Sequence, residues 1–470
     1  MLLRSDIKNI YFLAIAGTAM ASLAAMFKSM GFHVYGTDKD VYPPMSTFLK
    51  DQGIQFFEGF SASHLEPKPD LVIVGNVISR GNPEIEVILE QHLDYISLPD
   101  AIREFFIRGH RSIVVTGTHG KTTTTSLLAW IFEHANRDPG FLVGGVPLNF
   151  DRGYQVGSGK EFIIEGDEYD SAFFDKVAKF LRYKPDIGII NHVEYDHADI
   201  YSSLEEIIIA FQRFVNLIPR NGMLASCADF ERVKAISKRA FCPVHDFGVD
   251  NPDAYWYADN VSYELLGTRF QLMENGKDRG SVYIPLLGKH NVRNALAAIA
   301  VARFVNIEFD SIFSALETFK GIRKRMDFKG EKAGVKIFDD FGHHPTAIKE
   351  TLLGLRNRVG ANKIWALFEP RSATTRRNVF QQALVDAFRE ADAVLLAPVN
   401  QPEKAPAGQV LSVKKIASDL CELGKDAWAV NSTEQMIEIL IQGLAKGDIV
   451  ITFSNGPFDN IHEKLLERLL

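Results

Sequence analysis

The sequence predicts an α/β protein that is divided into three domains. Its 470 residues exceed what one hydrophobic core usually serves, since a domain mostly contains about 100 to 200 residues. Strand-length apolar runs alternate with helix-length segments along the chain, which is typical of mainly parallel sheets. Hydrophobic residues make up 46% and charged residues 24%, as in globular proteins. We therefore expect compact structure nearly throughout, in segments 1–108, 109–320 and 321–470.

Composition excludes several classes of function. The formal net charge of -7 disfavours a nucleic acid partner, which would require a strongly basic surface. The three cysteines, Cys227, Cys242 and Cys421, are too far apart for a disulfide framework or a C-x-x-C metal site, so we expect a reducing cytoplasm. Met1–Asn9 lacks the apolar core of a signal peptide, and no run approaches the ~18 apolar residues of a membrane span. Neither targeting nor membrane insertion is expected.

The first domain begins with a βαβ unit. Ile10–Ile15 predicts a strand, a helix continues to Met30, and His33–Gly36 predicts a second strand that leads to Asp38. Further strands are expected at Leu71–Val74 and Tyr95–Leu98. The start of the chain therefore resembles a Rossmann-like domain.

The glycine loop of this unit disfavours a dinucleotide. The G-x-G-x-x-G pattern is absent, because alanines stand at 14, 16 and 19 and only Gly17 remains. A nucleotide-sugar diphosphate could still bind at this helix start, with Asp38 as a polar contact. The alternative is a domain with a purely structural role.

The second domain opens with a loop suited to phosphate. Ser112–Thr116 predicts a buried strand, Lys121–Ala135 predicts a helix, and Thr116–Thr123 joins them with the sequence T-G-T-H-G-K-T-T. Backbone N–H groups of such a loop face phosphate oxygens, Lys121 can neutralise the β and γ phosphates, and the Thr122 hydroxyl can ligate Mg²⁺. Val115 stands where the strict pattern has glycine, and an ordinary glycine turn before a helix is the alternative.

Two carboxylate-rich segments follow predicted strands. The strands Glu161–Glu165 and Asp186–Asn191 lead into E-G-D-E-Y-D and N-H-V-E-Y-D-H-A-D. Ligands of open α/β sheets gather at the carboxyl ends of strands, so these side chains should meet the phosphate loop. Glu168 and His197 are suited to Mg²⁺ that bridges phosphates. A zinc site and a solvated acidic loop are the alternatives.

Two later segments carry weaker signals. Gly288–Asn294 starts an alanine-rich helix, Asn291–Val305, which we expect to close the second domain; its asparagines could hold ATP or merely cap the helix. Asp339–Thr346, with the sequence D-D-F-G-H-H-P-T, belongs to the third domain, and its Thr346 could likewise merely lie in the first turn of a helix. Strands of that domain are expected at Val335–Phe338, Lys363–Phe368, Ala393–Ala397 and Asp448–Phe453.

Taken together, these segments resemble the Mur ligases over essentially the whole chain. The motifs occur in order: T-G-T-H-G-K-T-T-T-T, E-G-D-E-Y-D, E-Y-D-H-A-D, G-K-H-N-V-R-N, K-R-M-D-F and D-D-F-G-H-H-P-T. The resemblance implies a Rossmann-like N-terminal domain that binds a UDP-linked substrate, a central P-loop ATPase domain, and a C-terminal Rossmann-like domain that closes over the cleft. It implies a cytoplasmic bacterial ligase that uses ATP and Mg²⁺, as a monomer or weak homodimer.

The resemblance also implies roles for individual residues. Those expected to serve catalysis are Lys121, Glu168, His197, Arg325 and Asp340, with Thr122, Glu168 and His197 as metal ligands. Those expected at ATP are Gly117, Thr118, His119, Gly120, Lys121, Thr122, Thr123, His290, Asn291, Asn294, Arg325, Asp340 and His343. Gly17, Thr18, Ala19, Met20, Asp38 and Asn76 are expected at the UDP substrate, and Arg371, Ser372 and Asn455 at a peptide.

Within the family, the chain is most similar to the branch that acts in peptidoglycan recycling. The segments that carry this likeness are V-Y-P-P-M-S-T, G-N-P-E-I-E, D-E-Y-D-S-A-F-F-D-K, E-P-R-S and S-N-G-P-F. That branch joins UDP-N-acetylmuramate to the tripeptide L-Ala-γ-D-Glu-meso-diaminopimelate through an acyl phosphate. The alternative is the biosynthetic branch that adds L-alanine to the same donor.

Two departures from the family pattern bear on this choice. Many Mur ligases carry a carbamylated lysine where this chain has Ala210–Gln212, so the second Mg²⁺ lacks that ligand, as it does in the alanine-adding and recycling branches. Phe341 replaces the tyrosine that is common in alanine-adding enzymes. Functions of other classes also stay open: a phosphate-binding switch that hydrolyses ATP without ligation, and an inactive module that binds a UDP-sugar.

Overall fold

The computed structural model describes residues 7–197, 200–264, 267–359 and 362–469. It contains a five-stranded, a ten-stranded and a six-stranded sheet, each within one of the segments 1–108, 109–320 and 321–470, together with a two-stranded hairpin. Most of Met1–Asn9, and Ala198 with Asp199, lie outside the described residues. In the described ranges, no helix combines the length and the apolar character that crossing a bilayer requires. The three-domain α/β prediction is confirmed.

The first segment folds around a parallel sheet in the order β3-β2-β1-β4-β5. Helix α1 begins after Gly17 and packs through small buried residues, among them Ala21, Ala24 and Ala25, which let it approach the sheet closely. The elements are β1 Asn9–Leu13, α1 Thr18–Ser29, β2 His33–Asp38, α2 Met45–Asp51, β3 Gln55–Glu58, β4 Leu71–Val74, α3 Pro83–Glu90, β5 Tyr95–Ser97 and α4 Leu98–Ile102, with a 3-10 helix at Ala62–Leu65 and a π-helix at Arg103–Ile107.

The middle segment contains the strand order β17-β16-β15-β14-β13-β12-β6-β9-β7-β8. Its elements are β6 Arg111–Thr116, α5 Lys121–His134, β7 Gly140–Leu142, β8 Tyr154–Gln155, β9 Glu161–Glu165, β10 Asp170–Ala172, β11 Asp175–Ala178, β12 Ile187–Ile190, α6 Leu204–Leu217, β13 Met223–Cys227, α7 Glu231–Ser237, β14 Val244–Val249, β15 Trp256–Glu264, β16 Gly267–Glu274, β17 Lys277–Ile284, α8 Lys289–Phe304 and α9 Phe309–Glu317, with a 3-10 helix at Lys179–Leu181. Strands β12, β6 and β9 are parallel neighbours, so the segments that follow them meet at one edge of the sheet.

The expectation that the alanine-rich helix closes the second domain is wrong. Helix α9 follows α8 inside the same segment and packs against α5 and β17. Its buried residues Ile312, Ala315 and Leu316 recur at helical spacing, so α9 needs this contact to remove its apolar face from water.

The last segment has the strand order β18-β19-β23-β20-β21-β22, in which only the edge strand β18 is antiparallel to its neighbour. Its elements are β18 Asp327–Lys332, β19 Val335–Asp340, α10 Pro345–Val359, β20 Ile364–Phe368, α11 Gln381–Ala387, β21 Ala393–Leu396, α12 Val413–Glu422, β22 Asp426–Ala429, α13 Thr433–Gly443, β23 Ile449–Phe453 and α14 Ile461–Arg468, with 3-10 helices at Asn378–Phe380, Phe388–Glu390, Pro402–Lys404 and Phe458–Asn460. The carboxyl end of β19 leads to His343 and His344, which face the middle segment.

Candidate active site

The phosphate loop lies between β6 and α5 and is held against the segment that follows β12. The amide of Thr118 donates to the carbonyl of His192 at 2.8 Å. Gly117 has φ +128°, and a Cβ there would come within 2.9 Å of the His192 nitrogen. Gly120 has φ +80°, and its Cβ would lie 2.3 Å from Oδ1 of Asn294. Both positions require glycine, because the backbone turns left-handed and there is no space for a side chain.

Replacing Gly120 with alanine should therefore destabilise the protein by more than the strain of a left-handed φ alone would. We expect a cost of about 3 kcal/mol, because conformational strain adds to a collision with Asn294. Gly276→Ala is the matched control, since Gly276 has φ +74° and nothing within 4 Å of its Cβ position. Its expected cost is about 1 kcal/mol. Thermal unfolding midpoints measure the difference, and equal midpoints for the two variants would show that the space around Gly120 does not matter.

The structure brings together three of the residues predicted to be catalytic. Lys121 Nζ lies 2.8 and 3.0 Å from the two carboxylate oxygens of Glu168, and it also donates to the carbonyl of Gly117 at 2.7 Å. His197 Nε2 lies 3.0 Å from Glu168 Oε1. The three side chains are nearly buried, with Glu168 only 3% exposed. A cation, an anion and an imidazole thus share one pocket at the sheet edge.

The charges of this group are mutually stabilised. Burial would raise the pKa of Glu168, but Lys121 and His197 outweigh it and lower that pKa to about 2. Burial would lower the pKa of Lys121 and of His197, yet Glu168 raises both. Glu168 therefore stays anionic and Lys121 stays cationic near neutral pH.

The predicted metal ligand Thr122 lies in the same loop, but its hydroxyl has a local partner. It donates to Glu165 Oε1 at 2.9 Å, and the other oxygen of Glu165 accepts from the amide of Gly144 at 2.8 Å. Hydroxyl and carboxylate oxygens with one imidazole are a donor set that Mg²⁺ accepts, and the buried anionic Glu168 requires a positive partner. The residues present fit Mg²⁺, and Glu165 is a neighbour that sequence reasoning missed, although it stands in E-G-D-E-Y-D.

The asparagines at the start of α8 connect that helix to the phosphate loop. Asn291 Nδ2 donates to the carbonyl of Leu287 at 2.8 Å, and Asn294 Nδ2 donates to Asn291 Oδ1 at 3.1 Å. Thr124 donates to Asn294 Oδ1 at 3.2 Å. These amides are buried and largely engaged in holding α8 against α5, so a contact with ATP stays a prediction for both. The side chain of His290 is 33% exposed, and its Nδ1 lies 3.8 Å from Oε2 of Glu350 in α10.

Asp340 shapes the connection between the second and third segments. Its carboxylate accepts from the amides of Met326 at 2.8 Å and Gly342 at 2.7 Å. Burial raises the pKa of Asp340, and Arg325 opposes that shift. The Arg325 guanidinium lies over the ring of Phe341, and His343 Nδ1 lies 3.2 Å from the Phe341 carbonyl. Arg325, Asp340 and His343 are thus neighbours, as their proposed roles at ATP require.

The third segment is closed onto the second through contacts that the sequence did not predict. Thr374 donates to Asp196 Oδ1 at 3.0 Å, and Thr346 donates to Glu194 Oε2 at 3.2 Å. Asp196 and Glu194 belong to the second carboxylate segment, and Thr346 belongs to D-D-F-G-H-H-P-T. Both segments were recognised, but which of their residues would meet depends on the positions of the two domains.

A cavity of about 170 Å³ lies at the start of α1, where a UDP substrate was predicted. Of the residues named for that role, Gly17, Thr18, Ala19, Met20 and Asn76 line it, together with Leu98, Ser171 and Lys179. Asp38 is not part of the lining, because its carboxylate accepts from the amides of Ala16 and Lys39 at 2.8 Å each and so orders the loop. Ser171 and Lys179 come from the middle segment and were missed.

The residues predicted to hold a peptide lie at the carboxyl ends of β20 and β23. Arg371 Nη1 is 3.5 Å from Glu369 Oε1, and a Cβ at Gly456 would come within 2.7 Å of Arg371 Cδ, so Gly456 leaves room for this side chain. Asn455 Oδ1 is buried without a hydrogen-bond partner. The Ser372 hydroxyl lies 2.9 Å from that of Thr375. Burial and the charge of Arg371 lower the pKa of Arg376, so an anion here would relieve the repulsion of two guanidinium groups.

Comparisons with known proteins agree along the chain. Three family models match, described as Mur ligase family, catalytic domain (residues 9–110), Mur ligase middle domain (115–302) and Mur ligase, glutamate ligase domain (324–456). A UDP-N-acetylmuramate–L-alanyl-γ-D-glutamyl-meso-2,6-diaminoheptandioate ligase of Haemophilus influenzae is 37% identical over 98% of this chain and 99% of its own. A UDP-N-acetylmuramate–L-alanine ligase of Clostridium acetobutylicum is 32% identical over 99% of both. The crystal structure of a murein peptide ligase from Psychrobacter arcticus matches with a TM-score of 0.72 and 34% identity, over 98% of each chain.

Proposed function

Because the chain belongs to the Mur ligase family, we propose that it joins UDP-N-acetylmuramate to the amine of L-Ala-γ-D-Glu-meso-diaminopimelate in peptidoglycan recycling. The observation that carries this choice is the likeness, over 98% of the chain, to a ligase named for that donor and acceptor. The L-alanine-adding reaction is the second candidate, since a ligase of that name is 32% identical. Membership of the family also confirms the prediction of a ligase that forms carbon–nitrogen bonds with ATP.

In the first step, a carboxylate oxygen of the donor attacks the γ-phosphorus of ATP, and ADP leaves. Negative charge on the phosphoryl oxygens must be stabilised, and Lys121 is the buried cation at the loop that would do so. Backbone amides of the loop and of the first turn of α5 add hydrogen bonds. Arg325, close to the linker between the domains, would contact the same oxygens with the third domain in its closed position.

Thr122, Glu168 and His197 would hold Mg²⁺ beside this loop. When bound, the ion would neutralise charge on the ATP phosphates. For Lys121 to reach the phosphates, its ion pair with Glu168 must open, and a cation on Glu168 would replace the lost partner. Thr122 would exchange its hydrogen bond to Glu165 for the same purpose.

In the second step, the neutral amine of the acceptor attacks the acyl phosphate, phosphate leaves, and the nitrogen gives up one proton to a base as the amide forms. Arg371 and Arg376 would bind a carboxylate of the peptide, because the charge of Arg371 lowers the pKa of Arg376 and an anion would offset that repulsion. The contacts of Thr374 and Thr346 with the second carboxylate segment hold this domain against the middle domain, which would help to exclude water from the acyl phosphate.

Phosphate release from ATP with Mg²⁺ and UDP-N-acetylmuramate tests the proposal, with the tripeptide or L-alanine as acceptor. Release that depends on the tripeptide is expected. Release with L-alanine but not with the tripeptide would assign the enzyme to the biosynthetic reaction. Release that needs no acceptor would indicate a switch without ligation, and the absence of ATP binding would indicate an inactive UDP-sugar module.

Replacing Arg371 with alanine should raise the KM for the tripeptide about 100-fold, because a charge-assisted contact is worth about 1.5 to 3 kcal/mol. The KM for ATP should not change. Arg389→Ala, an exposed arginine of the same domain that pairs with Asp386, is the control. Steady-state kinetics with varied tripeptide measure the effect, and an unchanged tripeptide KM would remove Arg371 from the peptide site.

The setting of the reaction is part of the proposal. Cys227, Cys242 and Cys421 are free, which fits the reducing cytoplasm of a bacterium. The substrates are small molecules, as for the relatives of this family. A monomer or weak homodimer is proposed, and sedimentation of the purified protein tests it.

A further inference from the structure

Three histidines and a glutamate form a second group of titratable side chains beside the phosphate loop. His119 belongs to the loop, His192 and Glu194 follow β12, and His344 precedes α10 of the third domain. One ligand atom each from His119, His192 and Glu194 lies within 4.8 Å of the others. None of these residues contacts Glu168 or His197 through its side chain in the described hydrogen bonds and ion pairs, so the group is separate from the proposed Mg²⁺ site.

The nitrogen atoms converge on a single carboxylate oxygen. His192 Nδ1 lies 3.7 Å and His344 Nδ1 lies 3.2 Å from Glu194 Oε1, and His119 Nε2 contacts the same oxygen. In a tetrahedral site with metal–ligand distances of about 2.0 to 2.1 Å, neighbouring ligand atoms are separated by roughly 3.4 Å. Two of the three separations are close to that value. The spacing of His119, His192 and Glu194 therefore suits a site with two imidazole ligands, one carboxylate ligand and an open fourth position.

The hydrogen bonding of the group is incomplete without a ligand. Nδ1 of His344 accepts from the amide of Thr346 at 3.3 Å, whereas Nδ1 of His192 is buried and has no hydrogen-bond partner. A buried polar atom left in this state costs about 1 to 3 kcal/mol. Glu194 is already oriented, because its second oxygen accepts from Thr346. A metal ion bound by His119, His192 and Glu194 would satisfy His192 Nδ1.

The electrostatic setting agrees with this geometry. Burial lowers the pKa of His192 to about 4, and burial followed by the charge of His119 lowers that of His344 to about 4. His192 is therefore neutral near neutral pH, which is the form that binds metals. Burial would raise the pKa of Glu194, but His119 and its neighbours lower it to about 2, so the carboxylate is anionic.

We propose that His119, His192 and Glu194 bind a transition metal ion of the zinc class beside the phosphate loop, with a solvent molecule as the fourth ligand. Two imidazole ligands favour Zn²⁺ over Mg²⁺, which prefers oxygen ligands. Because His119 lies between Gly117 and Gly120, a metal bound to it would fix the loop. Such an ion inhibits turnover, since the loop must be free to bind and release ATP. Inhibition rests on the proposed function, whereas metal binding does not.

Calorimetric titration of the metal-free full chain with Zn²⁺, in a large excess of Mg²⁺, tests the site. One equivalent should bind, and His192→Asn should weaken binding at least 100-fold. His245→Asn is the control, because His245 is also partly buried and stacks on the ring of Tyr255. Binding that is equally tight in wild type and His192→Asn would overturn the proposal. Co²⁺ provides a second readout, since a tetrahedral site gives it intense visible absorption.

Two further variants keep the test decisive. Glu194→Gln removes the anionic ligand with little change in shape, and it replaces His192→Asn if that variant does not fold. His344→Asn is a second control, because His344 contacts Glu194 Oε1 without being a ligand, and its zinc affinity should stay close to that of wild type. In wild type, Zn²⁺ should inhibit phosphate release, and His192→Asn should relieve that inhibition. If zinc binds but no substrate supports turnover, the proposed function fails while the metal site stands.

Discussion

Replacing Lys121 with methionine should lower the rate of phosphate release by about 10³-fold or more, with little change in the fold. The side chain is the buried cation nearest the loop, and removal of a single preorganised electrostatic contact costs about 10² to 10³ in rate. Lys121 also lies against Glu168, so its loss removes the neutralising partner of that carboxylate as well. Acceptor-dependent phosphate release measures the rate, and circular dichroism measures whether the fold is retained.

Lys415→Met is the matched control for this prediction. Lys415 is an exposed lysine that pairs with Asp419 one helical turn away on α12. Its replacement should leave turnover unchanged. A Lys121→Met enzyme that retains more than a tenth of the wild-type rate would show that this lysine does not stabilise the transferred phosphoryl group.

Replacing Glu168 with glutamine should lower the rate of phosphate release by about 10² to 10³-fold and weaken the dependence on Mg²⁺. It should also reduce stability by about 3 kcal/mol near neutral pH, because Lys121 and His197 would lose the buried anion that faces them. Glu231→Gln, an exposed residue that pairs with Lys234, is the control. An unchanged Mg²⁺ dependence would remove Glu168 from the metal site.

The pH dependence of that stability loss has a definite sign. Although burial raises the pKa of Glu168, Lys121 and His197 lower it to about 2 in the folded protein, from an ordinary 4.5. A lowered pKa contributes stability above pH 4.5 that is lost as the pH falls toward 2. The difference in melting temperature between wild type and Glu168→Gln should therefore shrink between pH 4.5 and pH 2. A difference that grows in this range would contradict the charge assignment.

The sequence predicted the order and kind of the elements well where the apolar runs are long. The strand predicted at Leu71–Val74 is found with the same bounds, and the helix predicted at Lys121–Ala135 ends one residue earlier, at His134. Phosphate loops are local, because one strand, one turn and one helix define them. The grouping of Lys121 with Glu168 was therefore accessible from the order of β6, β9 and β12 in a parallel sheet.

The contacts between domains could not be predicted in the same way. Thr374 and Asp196 are 178 residues apart, and no periodicity relates them. Thr122 was assigned to a metal, and its hydrogen bond to Glu165 could not be predicted, because it depends on side-chain orientation. Asp38 was assigned to the substrate, yet the amide of Ala16 competes for its carboxylate. Each difference arises where several partners compete for one polar group.

The position of β23 in the third sheet has a consequence for how the protein is made. This strand, Ile449–Phe453, is the last along the chain, but it lies in the interior of the sheet between β19 and β20. The first two domains can form during synthesis. The sheet of the third domain lacks its interior strand β23 until nearly the whole polypeptide has left the ribosome. The unpaired edges of β19 and β20 are then exposed to other nascent chains, so a stop codon shortly before Ile449 would produce an aggregation-prone product rather than a smaller working enzyme.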